Sequence, residues 1–501
     1  MLAFWTGSLM VAVGVALHAP MFLMGRHTGW RLVGMPMGTP MLIGMGLIIL
    51  GIAAAAYGLL PSRPARHSTH ESILPPEDAP LTKAHWLQIA VLAVALVVDV
   101  MKAASLGFVV PGMRVEYSLT AAQVAVLPVC ALLGTTVGSF VWGALADIYG
   151  RRASLLLAAV FFVGTSICGA MPSFAWNLFM CFMMGLAAGG MLPVANALLA
   201  EIMPTKHRGW CLVLIGGIGT IGGYFATSAL SALLQPYFGW RIMWLLGFPT
   251  GLMLIALSPL LPESARFLLE MGRIDEARQT LARYGGKIAA AQAEQPTPSR
   301  PSQSRALLGV TIALTLAALA WGFANFGILL WLPTALVAEG RSVGLASAVI
   351  ARSALIAIPT VAVATYLYSL WSTKRVLILA IAVTTLGLLA TLLGASPLVS
   401  VSLLVIGTSA VISILMPYAA ESFPVRQRGR ATGWIAGCSK IGGVLAQSLA
   451  AFSLVPAFGL AAGAVALPTL ASLLLIAAFG HETRGRDLRD LETEVRAASA
   501  S

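Results

Sequence analysis

The chain has 501 residues, of which 58% are hydrophobic and only 10% are charged, and its mean hydropathy is +0.88. Soluble domains carry about 25% charged residues, so this composition excludes an ordinary soluble enzyme and predicts a protein with many membrane spans. The net charge of +12 lies in short loops between apolar runs, where it indicates membrane topology and not a nucleic-acid partner.

Apolar runs long enough to cross about 30 Å of hydrocarbon as helices recur along the whole chain. The first contains His18 and Pro20 and lacks a basic leader and a convincing cleavage site, so we expect a retained helix. The sequence predicts 14 spans, at residues 2–24, 39–60, 86–112, 120–146, 153–171, 174–200, 210–235, 240–261, 306–337, 343–370, 375–395, 397–419, 430–454 and 458–480.

The loops between these spans divide sharply in their Lys and Arg content. With the N-terminus inside, the inner loops hold 23 of these cations and the outer loops hold 5. The positive-inside rule therefore predicts an integral plasma-membrane or inner-membrane protein whose N- and C-termini are both cytoplasmic. The five cysteines lie in apolar runs without a CxxC pair, so we expect no disulfide framework, no metal site and no other cofactor.

Two polar stretches divide the chain into domains. A Pro-rich linker follows the first two spans, and a longer loop alternates apolar and charged residues, which predicts short surface helices before a disordered tether. We predict an added helix pair at 1–60, a cytoplasmic linker at 61–85, a six-helix bundle at 86–261, a cytoplasmic loop at 262–305, a second six-helix bundle at 306–480 and a cytoplasmic tail at 481–501.

The region from 86 to 480 contains an internal repeat. AEIMPTKHRG at 200–209 and AESFPVRQRG at 420–429 share five of their ten residues at an offset of 220. The same register continues into the following helix, where three glycines of one copy match three glycines of the other. Parallel repeats of this length predict two six-helix halves with a common architecture.

The stretch GALADIYGRR (Gly143–Arg152) resembles the signature between the second and third helices of the major facilitator superfamily. PESARFLLEMGRIDEA at 262–277 and the two repeated loops resemble its sugar-and-other-transporter branch. The resemblance covers about 86–480. It implies an all-α polytopic membrane protein with two pseudo-symmetric six-helix bundles around a central cavity, working by alternating access. The two N-terminal helices are an addition to that fold.

The first helix of this core is similar to the start of the aromatic-acid/proton symporter group. In DVMKAASLGFVVPG, Asp99 matches the first acid of that pattern and Pro111 matches its proline, whereas Lys102 replaces the second acid. The resemblance implies a carrier of aromatic or other carboxylates and leaves proton coupling open. The glutamine pair of hexose carriers is missing from 306–337, so we do not expect a sugar substrate.

Ionisable residues inside spans are candidate site residues, because burial in hydrocarbon is costly unless they are paired or face water. Asp99 is the only acid within the core spans, and it can pair with Lys102 on one helix face, as a structural pair or as the coupling residue. Arg352 and Lys440 then give the core a surplus of two cations. We expect these cations to bind a small organic anion, with the planar fork of Arg352 as the first contact and Lys440 and Lys102 beside it. Alternatively, Lys440 snorkels towards the inner surface.

Asn196, Asn325 and Trp321 are candidate polar and aromatic contacts of the same cavity, although tryptophans near span ends more often anchor a helix at the interface. The sequence contains no nucleophile–base set, so we do not expect an enzyme.

Charged residues on the predicted cytoplasmic face are expected to form a gate. By the resemblance, a charge network on this face holds the outward-open state. The predicted gating residues are Gly143, Asp147, Gly150, Arg151, Arg152, Glu201 and Arg208 in the first half and Glu421 and Arg428 in the second. The second copy of the signature, YLYSLWSTKR, keeps a basic pair but no acid, so we expect an asymmetric gate.

Three functions remain open at this level. The first is a secondary active transporter of a small organic anion, the second a proton-driven multidrug or metabolite exporter, and the third a non-transporting sensor on a carrier scaffold. The expected partners are a small, anionic substrate, the lipid bilayer and, if transport is coupled, protons, with no nucleic acid.

Overall fold

The structure, a computed structural model, describes residues 2–60, 71–74, 80–290, 304–423 and 425–484. Each predicted span is helical in it, and 13 of these segments are long and apolar enough to cross a membrane by length and composition. The remaining predicted span corresponds to α19 (Val425–Ala451), which carries four cations along its length and is therefore less apolar. The prediction of a polytopic all-α fold is confirmed.

The first described segment, residues 2–60, is called the extension here. It contains α1 (Leu2–Ala16), α2 (Ala19–Met24), a 3₁₀ turn (Gly25–Thr28) and α3 (Thr39–Leu59). Glycines let α1 and α3 approach closely, since a Cβ atom at Gly7 would lie 2.5 Å from the Gly51 carbonyl oxygen. Such close backbone contact is a usual way for membrane helices to associate.

The first half of the core consists of six spans built from eight α-helices. These are α4 (Lys83–Glu116), α5 (Ala121–Tyr149), α6 (Arg151–Gly164) with a 3₁₀ continuation (Thr165–Ala170), α7 (Phe174–Ala188), α8 (Met191–Ile202), α9 (Thr205–Phe238), α10 (Ile242–Leu245) and α11 (Gly247–Ala256), followed by a 3₁₀ turn (Ser258–Leu260). Local sequence fixes several ends; for example, Thr120 and Gln123 form a capping box at the start of α5.

The loop between the halves forms two short helices, α12 (Ala265–Glu270) and α13 (Ile274–Tyr284), which confirms the predicted surface helices. Two strands that the sequence did not predict, β1 (Glu71–Leu74) and β2 (Lys287–Ala290), pair antiparallel. Four-residue strands are too short for an alternating pattern, and their partners lie far apart in sequence. The predicted tether at 291–303, most of the linker and the tail beyond 484 lie outside the described residues.

The second half repeats the six-span arrangement. It consists of α14 (Ser304–Gly322), a π-helical segment (Phe323–Leu329), α15 (Leu330–Ala338), α16 (Val343–Leu370), α17 (Thr373–Leu392), α18 (Pro397–Ser422), α19 and α20 (Phe458–Phe479). The sequence predicted one uninterrupted span where the π-helical segment lies. The exact domain boundaries remain predictions.

The two halves contact each other near both ends of the membrane spans. On the predicted outer side, the hydroxyl oxygens of Ser231 in α9 and Ser347 in α16 lie 2.8 Å apart and are buried. On the predicted inner side, a Cβ atom at Gly209 would lie 3.1 Å from the Glu421 carboxylate of the other half. The predicted pair of pseudo-symmetric bundles is therefore present, with helices from both halves lining their common interface.

Candidate functional site

Asp99 on α4 is buried, with 8% of its surface exposed, and it makes no hydrogen bond or ion pair with another described residue. The charge of Lys440, which belongs to the second half, acts on Asp99 more strongly than that of Lys102, three residues away. The predicted Asp99–Lys102 ion pair is therefore not formed. The carboxylate instead lies within electrostatic reach of a cation of the other half, without a direct ion pair.

Lys102 points into the first half. Its ammonium donates to the Phe162 carbonyl oxygen (2.6 Å) and to the Thr165 hydroxyl (2.7 Å), and it lies 3.8 Å from the centre of the Phe162 ring. These partners lie where α6 passes into its 3₁₀ continuation and carbonyl groups lose their helical partners. The geometry gives Lys102 a structural role at this junction and corrects the expectation that it lies beside the substrate.

Lys440 on α19 is partly buried, and its ammonium lies 5.0 Å from the centre of the Phe326 ring. It makes no hydrogen bond or ion pair within the described part of the chain. A cation that meets only a carboxylate without direct contact and an aromatic face retains all its donors for a ligand. The fold thus brings the buried Asp99 and the partly buried Lys440 near each other from opposite halves.

The π-helical segment contains Phe326, the aromatic neighbour of Lys440, together with further polar contacts. Asn325 is buried within it and accepts a hydrogen bond from the Tyr224 hydroxyl of the first half at 3.0 Å. The Gln447 amide donates to the Phe326 carbonyl oxygen and accepts from the Trp331 indole at 3.1 Å. π-helical turns free backbone carbonyl groups and occur frequently at functional sites.

The sequence had indicated Asn325 but missed Tyr224, Phe326 and Gln447. The internal repeat offered one signal, because Gln447 matches Thr227 at the offset of 220. A polar residue at equivalent positions of two apolar helices indicates a conserved need for hydrogen bonding within the bundle.

Trp321 and Asn196 occupy less direct positions. The Trp321 indole donates to the Thr408 carbonyl oxygen at 2.7 Å, and its ring packs edge-on against Phe326 at 5.5 Å. Trp321 therefore supports the position of the Phe326 ring. The buried Asn196 side-chain oxygen has no hydrogen-bond partner among the described residues, and no described contact joins it to the Asp99–Lys440 pair.

Arg352 does not belong to the Asp99–Lys440 pair. It is exposed on α16, on the helix face that also carries the exposed residues Leu345, Ile356, Val363 and Tyr366. This spacing places Arg352 among apolar residues on the face of α16 that is exposed at the protein surface. Arg352 is therefore not one of the charges buried within the bundles, and its predicted contact with a substrate anion stays a prediction.

At the predicted cytoplasmic end, Arg151 connects two acids of the first half. Its guanidinium lies 3.1 Å from the Glu201 carboxylate and 3.4 Å from that of Asp147, whose side chain is 71% exposed. The same guanidinium donates to the Ala146 carbonyl oxygen at 3.1 Å. The sequence anticipated this set of charges, and their gating role remains a prediction.

Glu263 completes the network and was missed from the sequence. Its carboxylate accepts backbone hydrogen bonds from Arg151 (2.9 Å) and Arg152 (3.3 Å) at the start of α6, where the helix dipole favours an anion. Burial raises the pKa of Glu263, against the effect of these hydrogen bonds. The Arg152 guanidinium donates to the Ser258 carbonyl oxygen at 3.1 Å.

The two glycines of the signature have different surroundings. Gly150 has a φ of 103°, and a Cβ atom there would collide with the Glu263 carboxylate. Glycine is therefore required at 150 by both conformation and space. A Cβ atom at Gly143 would meet nothing within 4 Å, so no contact supports its predicted gating role.

The second half uses a related arrangement. Glu421 accepts hydrogen bonds from the Tyr368 hydroxyl (2.8 Å) and the Thr483 hydroxyl (2.7 Å). Arg208 is partly buried at the start of α9, and the side chain of Arg428 lies outside the described residues.

Glu482 is the second-half counterpart of Glu263. It accepts hydrogen bonds from the Ser372 hydroxyl and from the backbone N–H (2.9 Å) and hydroxyl (2.6 Å) of Thr373 at the start of α17. Burial alone would raise the pKa of Glu482, but these hydrogen bonds outweigh it and lower the pKa to about 2. In each half, a carboxylate that follows the sixth span thus binds the N-terminus of the third span.

Comparison with known proteins identifies the class. The profile of the Major Facilitator Superfamily matches residues 91–447, which is more than half of the chain. The chain therefore belongs to the Major Facilitator Superfamily, whose members are membrane transporters and not enzymes.

Individual relatives agree with this class. The chain is 26% identical over 448 residues to the niacin transporter NiaP of Acinetobacter baylyi, covering 83% of this chain and 98% of that protein. It is 29% identical over 432 residues to a gallate transporter of Pseudomonas putida, covering 81% and 94%. The fold matches that of the E. coli xylose transporter XylE in a partially occluded inward-open conformation, with a TM-score of 0.64, 18% identity and coverage of 81% and 100%.

Proposed function

We propose that this transporter moves a small aromatic carboxylate by alternating access and couples its movement to a proton. The observation that carries the proposal is the pair of Asp99 and Lys440, contributed by opposite halves and not joined by a direct ion pair. A site that both halves build is one that both must rearrange to open, as alternating access requires.

Lys440 is the proposed partner of the substrate carboxylate. Its ammonium has no hydrogen-bond acceptor within the described chain, so a bound carboxylate would satisfy it without displacing another group. A hydrogen bond between charged groups is worth about 1.5–3 kcal/mol, or about 10- to 150-fold in affinity. The Phe326 ring supplies flat apolar surface beside it, which suits an aromatic substrate.

Asp99 is the proposed proton carrier. A buried carboxylate without hydrogen bonds is stable as an anion only while a nearby cation compensates its charge. When the substrate carboxylate pairs with Lys440, the single charge of Lys440 compensates two carboxylates. Asp99 then takes up a proton from the outer side. Release of the substrate restores the attraction between Lys440 and Asp99 and expels the proton on the inner side. One proton therefore accompanies each substrate anion.

Two further observations support an aromatic acid in particular. Niacin and gallate, the compounds named for two relatives, are both small aromatic carboxylates. The distribution of Lys and Arg supports the orientation, with both termini in the cytoplasm, so that transport with an inward proton gradient would be uptake.

Uptake into proteoliposomes tests the proposal, with labelled nicotinate and gallate as probes and an imposed pH gradient. We expect Lys440→Gln to lose about tenfold or more of kcat/KM. Asp99→Asn should still exchange substrate at equal pH but should no longer accumulate it on a gradient, because the amide cannot titrate. The matched control is Arg341→Gln, an exposed cation of the same half.

The outcomes separate the alternatives. Arg352→Gln examines the sequence-based site, and we expect nearly wild-type uptake because Arg352 lies on the outward face. Wild-type kinetics in Lys440→Gln, or a loss in Arg352→Gln as large as in Lys440→Gln, would refute the assigned site. Gradient-driven accumulation by Asp99→Asn would refute the assigned proton carrier.

A further inference from the structure

The extension lies outside the region that defines the family, since the profile match begins at residue 91. Its helices pack against α6, α11 and the 3₁₀ continuation of α6, all in the first half. The helices pack closely at Gly164 of α6, where a Cβ atom would lie 3.1 Å from the Ile48 side chain. The extension is therefore laid along one half of the transporter and not across the interface between halves.

A buried ion pair within the core binds the loop of the extension. Glu116, at the end of α4, and Arg241, just before α10, lie 2.7 Å apart, and their side chains are 4% and 0% exposed. The same Glu116 oxygen accepts backbone hydrogen bonds from Leu32 (2.8 Å) and Val33 (3.3 Å) in the loop of the extension. The sequence had counted Arg241 only as an outer-loop cation and had treated Asp99 as the only buried acid.

The remaining donors and acceptors of this pair come from three other parts of the first half. The Trp240 indole donates to the second Glu116 oxygen at 2.8 Å. Arg241 donates to the carbonyl oxygens of Gly169 (3.3 Å) and Met171 (2.8 Å), beside α6 and α7. The Glu116–Arg241 pair thus connects the loop of the extension with the end of α4, the segment before α10 and the segment between α6 and α7, through charge-assisted hydrogen bonds.

An aromatic contact reinforces this junction. Trp30 stacks on Phe22 at 4.7 Å and meets Phe238, at the end of α9, edge-on at 5.4 Å. The extension therefore touches the outer ends of α4 and α9, the helices that carry Asp99 and Tyr224 into the interface between halves.

We propose that the extension is a clasp: Glu116 holds its loop onto the outer ends of α4 and α9, so that the extension and the first half move as a single rigid body. The outer opening movement then falls to the second half, whose α15 and α16 face α4 and α9. The proposal concerns conformational coupling and does not depend on the identity of the substrate.

Hydrogen exchange of the full-length protein in lipid nanodiscs tests the role of Glu116. In Glu116→Gln, we expect the amides of residues 31–36 to exchange about tenfold faster or more, because the carboxylate that binds two of them is lost. The matched control is Glu339→Gln, a 60% exposed carboxylate, which should leave that exchange unchanged. Unchanged exchange in Glu116→Gln would overturn the proposal.

A milder variant covers the case in which Glu116→Gln does not fold, since it leaves Arg241 buried without its counter-charge. Trp240→Phe removes one donor to Glu116 and retains the ion pair. We expect a smaller acceleration at residues 31–36, and exchange equal to the wild type would again contradict the clasp.

Paired spin labels test the single rigid body. Leu42 of the extension, Leu233 of α9 and Leu345 of α16 are all exposed and suitable for labelling through introduced cysteines. We expect a narrower distance distribution for the pair at 42 and 233 than for the pair at 42 and 345. A distribution for 42 and 233 that is equally broad or broader would refute the proposal.

Discussion

The two halves are built on one repeat, yet different chemistry holds them at their predicted cytoplasmic ends. In the first half, Glu201 pairs with the Arg151 guanidinium at 3.1 Å. In the second half, its repeat counterpart Glu421 accepts from the neutral hydroxyls of Tyr368 and Thr483. These two hydrogen bonds involve neutral groups, so breaking them leaves no uncompensated cation, unlike breaking the Glu201–Arg151 ion pair.

The halves also differ away from their predicted cytoplasmic ends. The first half carries the buried Glu116–Arg241 pair and the extension, whereas the second half carries a π-helical segment in its first span. Both halves retain a carboxylate on the N-terminus of their third span, at Glu263 and Glu482. Duplication thus preserved the positions of the anchoring carboxylates, while the described groups that bind them diverged.

The largest effect should come from removing the repeated carboxylates. Glu201→Ala leaves Arg151, whose side chain is 16% exposed, without its main counter-charge, and should cost about 2–3 kcal/mol of unfolding free energy. Glu421→Ala removes the acceptor of the Tyr368 and Thr483 hydroxyls, and the loss of these two hydrogen bonds should cost about 1–2 kcal/mol. Chemical denaturation in detergent measures both variants. Equal losses, or a larger loss for Glu421→Ala, would show that the two ends are held alike.

The two glycines of the signature provide a matched pair. Gly150→Ala should cost about 1–3 kcal/mol, because φ is 103° and the added Cβ collides with Glu263. Gly143→Ala places its Cβ in open space within a helix and should be neutral or stabilising by up to about 1 kcal/mol. Thermal unfolding of the two variants side by side tests this, and comparable destabilisation would contradict the steric argument.

Acidification should act differently on the two anchoring carboxylates. The pKa of Glu482 is about 2, below its ordinary value of 4.5, so its stabilising contribution is present above pH 4.5 and is lost as the pH falls towards 2. Burial raises the pKa of Glu263, so ionisation of Glu263 opposes folding and acidification relieves that cost.

Hydrogen exchange checks this difference through protection factors between about pH 5 and about pH 3. Protection at the start of α17 should fall on acidification, while protection at the start of α6 should hold or rise. Glu482→Gln should remove the pH dependence at α17. A parallel fall at both helices in the wild type would contradict the assigned directions.

The smallest effect on stability should come from Asp147→Asn, because the Asp147 side chain is 71% exposed and its ion pair with Arg151 is worth about 0–1 kcal/mol. If this pair biases the gate, the maximal transport rate should fall while KM changes little. Initial-rate uptake measures both quantities. A large rise in KM at a normal maximal rate would place Asp147 in substrate binding.

Much of the fold and part of the site could be predicted from the sequence. Long apolar runs, the repeat at an offset of 220 and GALADIYGRR each act locally or in fixed register, so they predict helices, two halves and the Asp147–Arg151–Glu201 charges. The choice of Asp99 and Lys440 as candidate site residues also followed from the cost of placing charge in hydrocarbon, which requires no knowledge of neighbours.

The partners of those charges were decided by tertiary structure alone. Asp99 and Lys102 are three residues apart, yet Lys102 turns to the carbonyl group of Phe162, and Asp99 faces Lys440 of the other half. Arg352 lies on the exposed face of its helix. The sequence determined which charges enter the membrane, because insertion depends on composition along the chain. Only packing determined which charges meet, because that depends on helix rotation and on contacts between residues hundreds of positions apart.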